Sequence, residues 1–82
     1  MKLHDILSLI KSYVVEATGE NIEDIDENAS FFRLGISSVQ ALKIVNKLRK
    51  KLEVDISPVA MFEYKCISEL AGYLYDCSQE SA

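Results

Sequence analysis

The sequence predicts an all-α fold: a small four-helix bundle formed by a single domain over residues 1–82. Apolar residues recur at spacings of three and four along most of the chain, and no segment alternates apolar and polar residues as a strand does. Of the 82 residues, 49% are hydrophobic and 27% are charged, the balance of a folded globular protein. A chain of this length is expected to have one core and no deep enclosed pocket.

The first two helices are marked at their ends. The first is predicted over residues 3–17, and Gly19 ends it because glycine readily takes the left-handed conformation of a helix C-terminus. The second is predicted over residues 38–52, because Ser37 and Gln40 form a capping box at its start. Its inward-facing residues are expected to be Val39, Leu42, Val45, Leu48 and Leu52.

A long loop, residues 19–37, connects these two helices. Loops of this length in small domains are usually functional or disordered. This one is expected to be ordered, because it contains five large apolar residues that can pin it to the core. They are Ile22, Ile25, Phe31, Phe32 and Leu34.

The second half of the chain predicts two more helices. The third is a short helix over residues 58–63, with Ser57 as its N-cap and Pro58 in its first position. The fourth is predicted over residues 67–76, where apolar residues again recur at helical spacing. Residues 78–82 are expected to be a frayed tail.

Composition argues against several classes of protein. The formal net charge of −4 disfavours a nucleic-acid-binding protein. No apolar run reaches the roughly 20 residues of a membrane-spanning helix, and the N-terminus lacks the apolar core of a signal peptide. A monomeric cytoplasmic domain that binds neither nucleic acid nor membrane is expected. Cys66 and Cys77 are expected to be reduced thiols, because they lie too far apart along one helix to pair.

The residues argue against a calcium site and against a histidine-dependent catalytic site. Asp24–Asn28 opens like an EF-hand calcium loop, but Ala29 and Gly35 stand where that loop needs glycine and glutamate. The only histidine, His4, has no nucleophile placed beside it by the sequence. Neither a metal site nor catalysis by this chain is expected.

Ser37 and Ser38 form a hydroxyl pair at the junction of the long loop and the second helix, just after Gly35. A hydroxyl in the first turn of a helix can carry a phosphodiester, because free amides and the positive end of the helix dipole face the anion. A serine that only caps the helix explains the same residues. The residues alone leave both interpretations open.

A resemblance to a known family bears on this choice. Residues 29–39, ASFFRLGISSV, resemble the SFFxLGxDSL phosphopantetheine attachment motif of acyl and peptidyl carrier proteins. The similarity covers residues 3–76. Residues 22–26 resemble the family's loop before the motif, and residues 41–52 resemble its second helix. Residues 61–64 and 67–71 together resemble its LFxYPTIxELA ending.

The resemblance implies that Ser38 carries a covalent 4′-phosphopantetheine arm, which a phosphopantetheinyl transferase adds from coenzyme A. Gly35 and Leu34 would place that serine, and Ser37 stands where the family usually has aspartate. Carrier domains hold acyl intermediates as thioesters on the arm and present them to partner enzymes, without catalysis of their own. Lys65 and Cys66 replace the family's usual proline and threonine, so the fourth helix is expected to be less well capped.

The charge of the second helix bears on the pathway. Carriers of dissociated bacterial fatty-acid synthesis usually have an acidic second helix, whereas this one is basic. The resemblance therefore favours a bacterial modular type I polyketide synthase, particularly one served by separate acyltransferases. A ketosynthase, an acyltransferase and other synthase enzymes are then the partners. A peptidyl carrier domain of a nonribosomal peptide synthetase and an unmodified helical adaptor are the alternatives.

A partner surface is predicted on and beside the second helix. Its basic outer face, with Lys43 and Lys47 one turn apart, predicts a partner with an acidic docking patch. For Val39 and Met61, a core position is the alternative interpretation. The predicted contact residues are Ile36, Val39, Gln40, Lys43, Lys47 and Met61.

Overall fold

A computed structural model of the chain describes residues 2–80 and shows a small helical bundle. The predicted fold class is confirmed: within that range the only β-type pairing is a single bridge between Ser30 and Cys66. None of the helices in the described range is long and apolar enough to cross a membrane. In chain order the helices are α1 (Leu3–Thr18), a 3₁₀ turn (Ile22–Asp24), α2 (Ser38–Leu52), α3 (Ala60–Glu63) and α4 (Ile67–Glu80).

The core forms where the apolar stripes of the three long helices meet. Helix α1 packs against both α4 and α2, and α3 packs against α2. Burying one large aliphatic side chain contributes about 1.5–3 kcal/mol, so this shared interior supplies most of the favourable free energy of folding. The buried residues of the long helices are Ile6, Ile10, Val14, Ala41, Ile44, Val45, Leu48, Ile67, Leu70, Ala71 and Leu74.

The inward face of α2 differs from the predicted one. Val39 is 62% exposed and Leu42 is also exposed, whereas Ala41 and Ile44 are buried. Each residue turns a helix by about 100°, so Val39 lies on the side opposite the buried group. The predicted stripe at positions 39 and 42 is therefore wrong, because the face that meets α1 and α3 is centred on positions 41, 44, 45 and 48.

Two helix ends also differ from the prediction. Helix α3 begins at Ala60, not at Pro58, because the chain from Ser57 first makes a turn. In that turn the Ala60 N–H donates to the Ser57 carbonyl at 3.0 Å. Helix α4 continues to Glu80, since no glycine or proline follows Asp76 to stop it. The predicted frayed tail is thus helical over 78–80, and residues 81–82 lie outside the described residues.

The long loop is tied to the beginning of α4. The Phe31 N–H donates to the Lys65 carbonyl at 2.9 Å, and the Ser68 N–H donates to the Glu27 carbonyl at 3.1 Å. The bond from Ser68 also satisfies an amide in the first turn of α4. The loop therefore helps to cap a helix for which the sequence predicts a weak cap. Of the five apolar loop residues expected to pin the loop, Ile25 and Phe31 are buried and Leu34 is half-buried, whereas Ile22 and Phe32 are exposed.

Neighbouring phenylalanines of this loop give a direct test of its packing. Phe31→Ala should lower the free energy of unfolding by about 3–5 kcal/mol, because the ring is 2% exposed and its removal leaves a cavity. Phe32→Ala should cost less than about 1 kcal/mol, because that ring is 58% exposed. Urea denaturation of both variants measures the difference. Equal losses would contradict the described packing.

Candidate functional site

The chain enters α2 through a closed turn at residues 31–35. The Gly35 N–H donates to the Phe32 carbonyl at 3.1 Å, and the Ile36 N–H donates to the Phe31 carbonyl at 3.0 Å. These two bonds, with Gly35 at a φ of +96°, are the pattern of a Schellman closure. Phe31 and Ile36, the two positions that flank such a closure, are both buried and belong to the hydrophobic core.

Glycine is required at position 35 by the backbone conformation and not by lack of space. A φ of +96° strains any residue with a side chain. A Cβ built on Gly35 would lie 3.9 Å from Thr18 Cγ2, which is an ordinary van der Waals distance. The turn that directs the chain into α2 therefore depends on the left-handed conformation of this residue.

The predicted capping box at the start of α2 is confirmed. Ser37 Oγ accepts from the Gln40 N–H at 3.2 Å, and Gln40 Oε1 accepts from the Ser37 N–H at 2.9 Å. Gln40 makes one further bond that the sequence did not predict: its Nε2 donates to the Ala17 carbonyl in the last turn of α1, at 3.1 Å. The beginning of α2 is thus joined to the end of α1.

Ser38 is the first residue of α2 and is exposed. Within residues 2–80, its hydroxyl makes no hydrogen bond, and neither do the backbone N–H groups of Ser38 and Val39. The first turn of α2 contains no acidic residue. An exposed nucleophilic oxygen therefore lies beside two free amides at the positive end of a helix, an arrangement that fits a covalently attached phosphodiester.

The six predicted contact residues do not share one surface. Ile36 and Met61 are 2% exposed and belong to the core, which corrects their prediction as contact residues. The closure at Gly35 turns Ile36 inward, and Met61 lies on the side of α3 that faces the core. Val39 and Lys43 are exposed, whereas Gln40 is half-buried between α1 and α2.

Lys47 is engaged within the domain. Its Nζ lies 3.2 Å from Glu16 Oε1 and 5.6 Å from the centre of the Tyr13 ring, both on α1. For Lys43, by contrast, no ion pair is formed with any residue in the described part of the chain. Of the two lysines, the charge of Lys47 is therefore partly offset by Glu16, whereas that of Lys43 is not offset by an ion pair within residues 2–80.

An apolar surface that the sequence did not predict lies near α3. The rings of Phe32 and Phe62 are 6.1 Å apart, and both are exposed. With Met61 they line a cavity of about 280 Å³, whose remaining walls are Ser30 and Lys65. The Phe-Phe doublet before Gly35 was the available signal, but its pattern could not show which ring faces outward.

Comparison with known proteins decides the family. The family model described as "Phosphopantetheine attachment site" matches residues 8–74. The chain belongs to this family of carrier domains. Its members carry a covalently attached 4′-phosphopantetheine and are generally non-catalytic parts of synthases. They are modified by phosphopantetheinyl transferases and work with the enzymes of synthase assembly lines. The predicted family and carrier role are therefore confirmed.

Curated relatives of this carrier domain include synthases of two kinds. Polyketide synthase PksM of Bacillus subtilis (strain 168) is 35% identical over 54 residues, which cover 66% of the chain. Nonribosomal peptide synthetase 30 of Fusarium vanettenii is 42% identical over 49 residues, which cover 60% of the chain. The chain spans about 1% of the length of each of these proteins. Similarity alone does not separate the two pathways.

A solved structure shares the fold of this carrier domain. A free-standing peptidyl carrier protein from Acinetobacter baumannii superposes with a TM-score of 0.85 at 24% identity. The match covers 92% of this chain and 94% of that protein. The helical bundle is therefore an architecture already known from a carrier protein.

A pair of glycine variants tests the closure before α2. Gly35→Ala should lower the free energy of unfolding by about 1–2 kcal/mol, because alanine is strained at this positive φ. Gly72→Ala is the matched control: Gly72 lies within α4 with open space around its Cα, so alanine should stabilise the domain by roughly 0.5–1 kcal/mol. Chemical denaturation measures both values. Stabilisation by both substitutions would exclude a strained closure at Gly35.

Proposed function

We propose that Ser38 is the residue that receives the 4′-phosphopantetheine arm. The observation that carries this proposal is the exposed, unbonded Ser38 hydroxyl beside the free amides of Ser38 and Val39. During attachment the Ser38 Oγ–H bond and the pyrophosphate P–O bond of coenzyme A break and an Oγ–P bond forms. Adenosine 3′,5′-bisphosphate leaves, and the proton passes to a base of the transferase. The resulting negative charge lies at the positive end of α2, where the free N–H groups can donate to its oxygens.

The neighbouring hydroxyl is less suited to this role. Ser37 Oγ accepts the Gln40 N–H and so caps α2. Attachment at Ser37 would disturb a cap whose loss costs about 0.5–2 kcal/mol of stability. Ser38 is therefore favoured on energetic grounds, although both oxygens are exposed at the same junction.

When bound, the arm supplies a terminal thiol that holds an acyl group as a thioester. The residues of this chain position the attachment oxygen, join the start of α2 to the end of α1 and offer a surface for partners. We assign the domain to a polyketide assembly line, in which a ketosynthase and an acyltransferase are among the partners. The basic α2 supports this assignment. A peptidyl carrier domain of a nonribosomal peptide synthetase is the second candidate, because relatives of that kind are also found.

The proposed docking face consists of Val39, Leu42 and Lys43. All three are exposed on α2, within two turns of Ser38. Two apolar side chains and one free cation suit a small, transient interface in which charge sets the rate of encounter. Lys47 contributes less of its charge because Glu16 pairs with it.

Loading by a transferase tests the attachment residue. Incubation with coenzyme A and a broad-specificity phosphopantetheinyl transferase should add one arm to the wild-type chain, which intact-protein mass spectrometry detects. Ser38→Ala should gain nothing. Ser37→Ala should still be loaded, with a stability loss of about 1 kcal/mol because the cap is lost.

Peptide mapping of the loaded protein locates the modified oxygen in the same experiment. An arm on Ser37, or loading that persists in Ser38→Ala, would exclude Ser38. A folded wild-type chain that no transferase loads would instead support an unmodified helical adaptor.

A charge reversal tests the docking face. Lys43→Glu should slow acyl transfer from the loaded domain to a polyketide ketosynthase by roughly threefold or more, through slower association. Lys51→Glu is the matched control, since it makes the same change in net charge at the far end of α2. Stopped-flow or quenched transfer assays at low salt compare the two rates. Equal rates for both variants would remove the docking role of Lys43.

A further inference from the structure

We propose that Gln40 is a positioning residue for the modification of Ser38, and not the partner-contact residue that its sequence position suggested. The inference rests on the proposed function, in which Ser38 is the attachment residue. Gln40 lies two residues after Ser38, in the first turn of α2. It does not contact the reacting oxygen, so any effect on modification must act through the backbone of that turn.

Gln40 makes three hydrogen bonds at this junction. Its backbone N–H donates to Ser37 Oγ, and its side-chain Oε1 accepts from the Ser37 N–H. Its Nε2 donates to the Ala17 carbonyl, 23 residues earlier in the chain. Ala17 lies in the last turn of α1, where carbonyl groups have no partner within their own helix.

At neutral pH the Gln40 side-chain amide can make both side-chain bonds at once, whereas an ionised carboxylate cannot. Gln40 uses its oxygen as an acceptor and its nitrogen as a donor, toward two different helix ends. An ionised carboxylate at this position would keep the acceptor but would place a negative oxygen against the Ala17 carbonyl. That carbonyl is one of the unsatisfied groups that form the negative end of α1, so the carboxylate would be repelled there. A methionine would make neither bond.

This bridge holds the first turn of α2 in one orientation relative to α1. Ser38 and its free amides belong to that turn, so their direction is set before a transferase binds. A nucleophile that is already oriented reacts faster because less freedom is lost on reaching the reactive geometry. Without the bridge, the turn remains on the surface for binding but presents Ser38 in several orientations. Loss of Gln40 should therefore lower kcat for loading more than it changes KM.

The central experiment compares loading of the 82-residue chain carrying Gln40→Met with loading of the wild type. With coenzyme A and a phosphopantetheinyl transferase at neutral pH, kcat should fall about tenfold while KM for the carrier changes less than about twofold. Asn46→Met is the matched control, because it removes an exposed amide from the same helix and should load like wild type.

Gln40→Glu provides a readout that does not depend on catalysis. When protonated, this side chain can accept from the Ser37 N–H and donate to the Ala17 carbonyl, as glutamine does. Lys43, Lys47 and the positive end of α2 favour the ionised form of the introduced carboxyl, whereas Glu16 and the Ala17 carbonyl oppose it. If the bond to Ala17 governs this position, the folded state favours the protonated form and the pKa of that carboxyl is raised above its unfolded value. Stability relative to wild type should be close to normal at about pH 4 and should fall as the pH rises through that folded pKa. Hydrogen exchange at the Ser37 N–H should accelerate over the same range.

The outcomes separate the inference from the proposed function. If the wild type is not loaded, the attachment proposal fails first. If the wild type is loaded and Gln40→Met keeps both kcat and KM, the positioning role is overturned. A fall in kcat that equals the unfolded fraction measured by denaturation also overturns it, since Gln40 would then be only structural. A selective fall in kcat, with a pH-dependent Gln40→Glu, supports it.

Discussion

The hydrogen-bonded junction at the start of α2 is the constraint on which the candidate site depends. A helix N-terminus has more N–H groups than its own backbone can satisfy. Here the Ser37 side chain takes one of them at Gln40, and the Gln40 side chain returns a bond to Ser37 and reaches Ala17. Because these groups satisfy each other, Ser38 is left with a free hydroxyl and free amides nearby. The bonds among Ser37, Gln40 and Ala17 therefore leave the Ser38 hydroxyl without a hydrogen-bond partner in the described residues.

The long loop explains why this junction is in the right place. The chain leaving α1 passes the start of α4 before it enters α2. It is held there by bonds from Phe31 to Lys65 and from Ser68 to Glu27. The left-handed Gly35 then reverses the chain into Ser37. The loop is long, but its conformation is restricted because buried side chains and backbone hydrogen bonds hold it at several points.

The basic character of α2 is divided by the tertiary structure. Lys47 forms an ion pair with Glu16, and Arg49 Nη2 lies 3.8 Å from Asp55 Oδ1. Both pairs are largely solvent-exposed and contribute little stability, of order 0–1 kcal/mol each. They nevertheless lower the positive potential along parts of the helix. Lys43 keeps its charge near the candidate attachment residue, which is where a docking enzyme must approach.

Features that depend on neighbours along the chain could be predicted from the amino-acid sequence alone. Helical periodicity located the long helices, the Ser37 and Gln40 spacing located a cap, and the match around Ser38 identified the family. These signals are local, since steric and hydrogen-bonding rules act over three or four residues. The sequence predicts the end of a helix less accurately where no glycine or proline follows to stop it, as at the end of α4.

Which faces are buried, and which partners the polar groups find, depends on the packing of segments that are distant along the chain. Ile36 and Met61 entered the core while Val39 stayed exposed, because burial depends on where α1, α3 and the closed turn lie. The bond from Gln40 to Ala17 crosses two helices and has no signature along the chain. An apolar residue at a helix edge can face either way, and only the packing of distant segments chooses between the two.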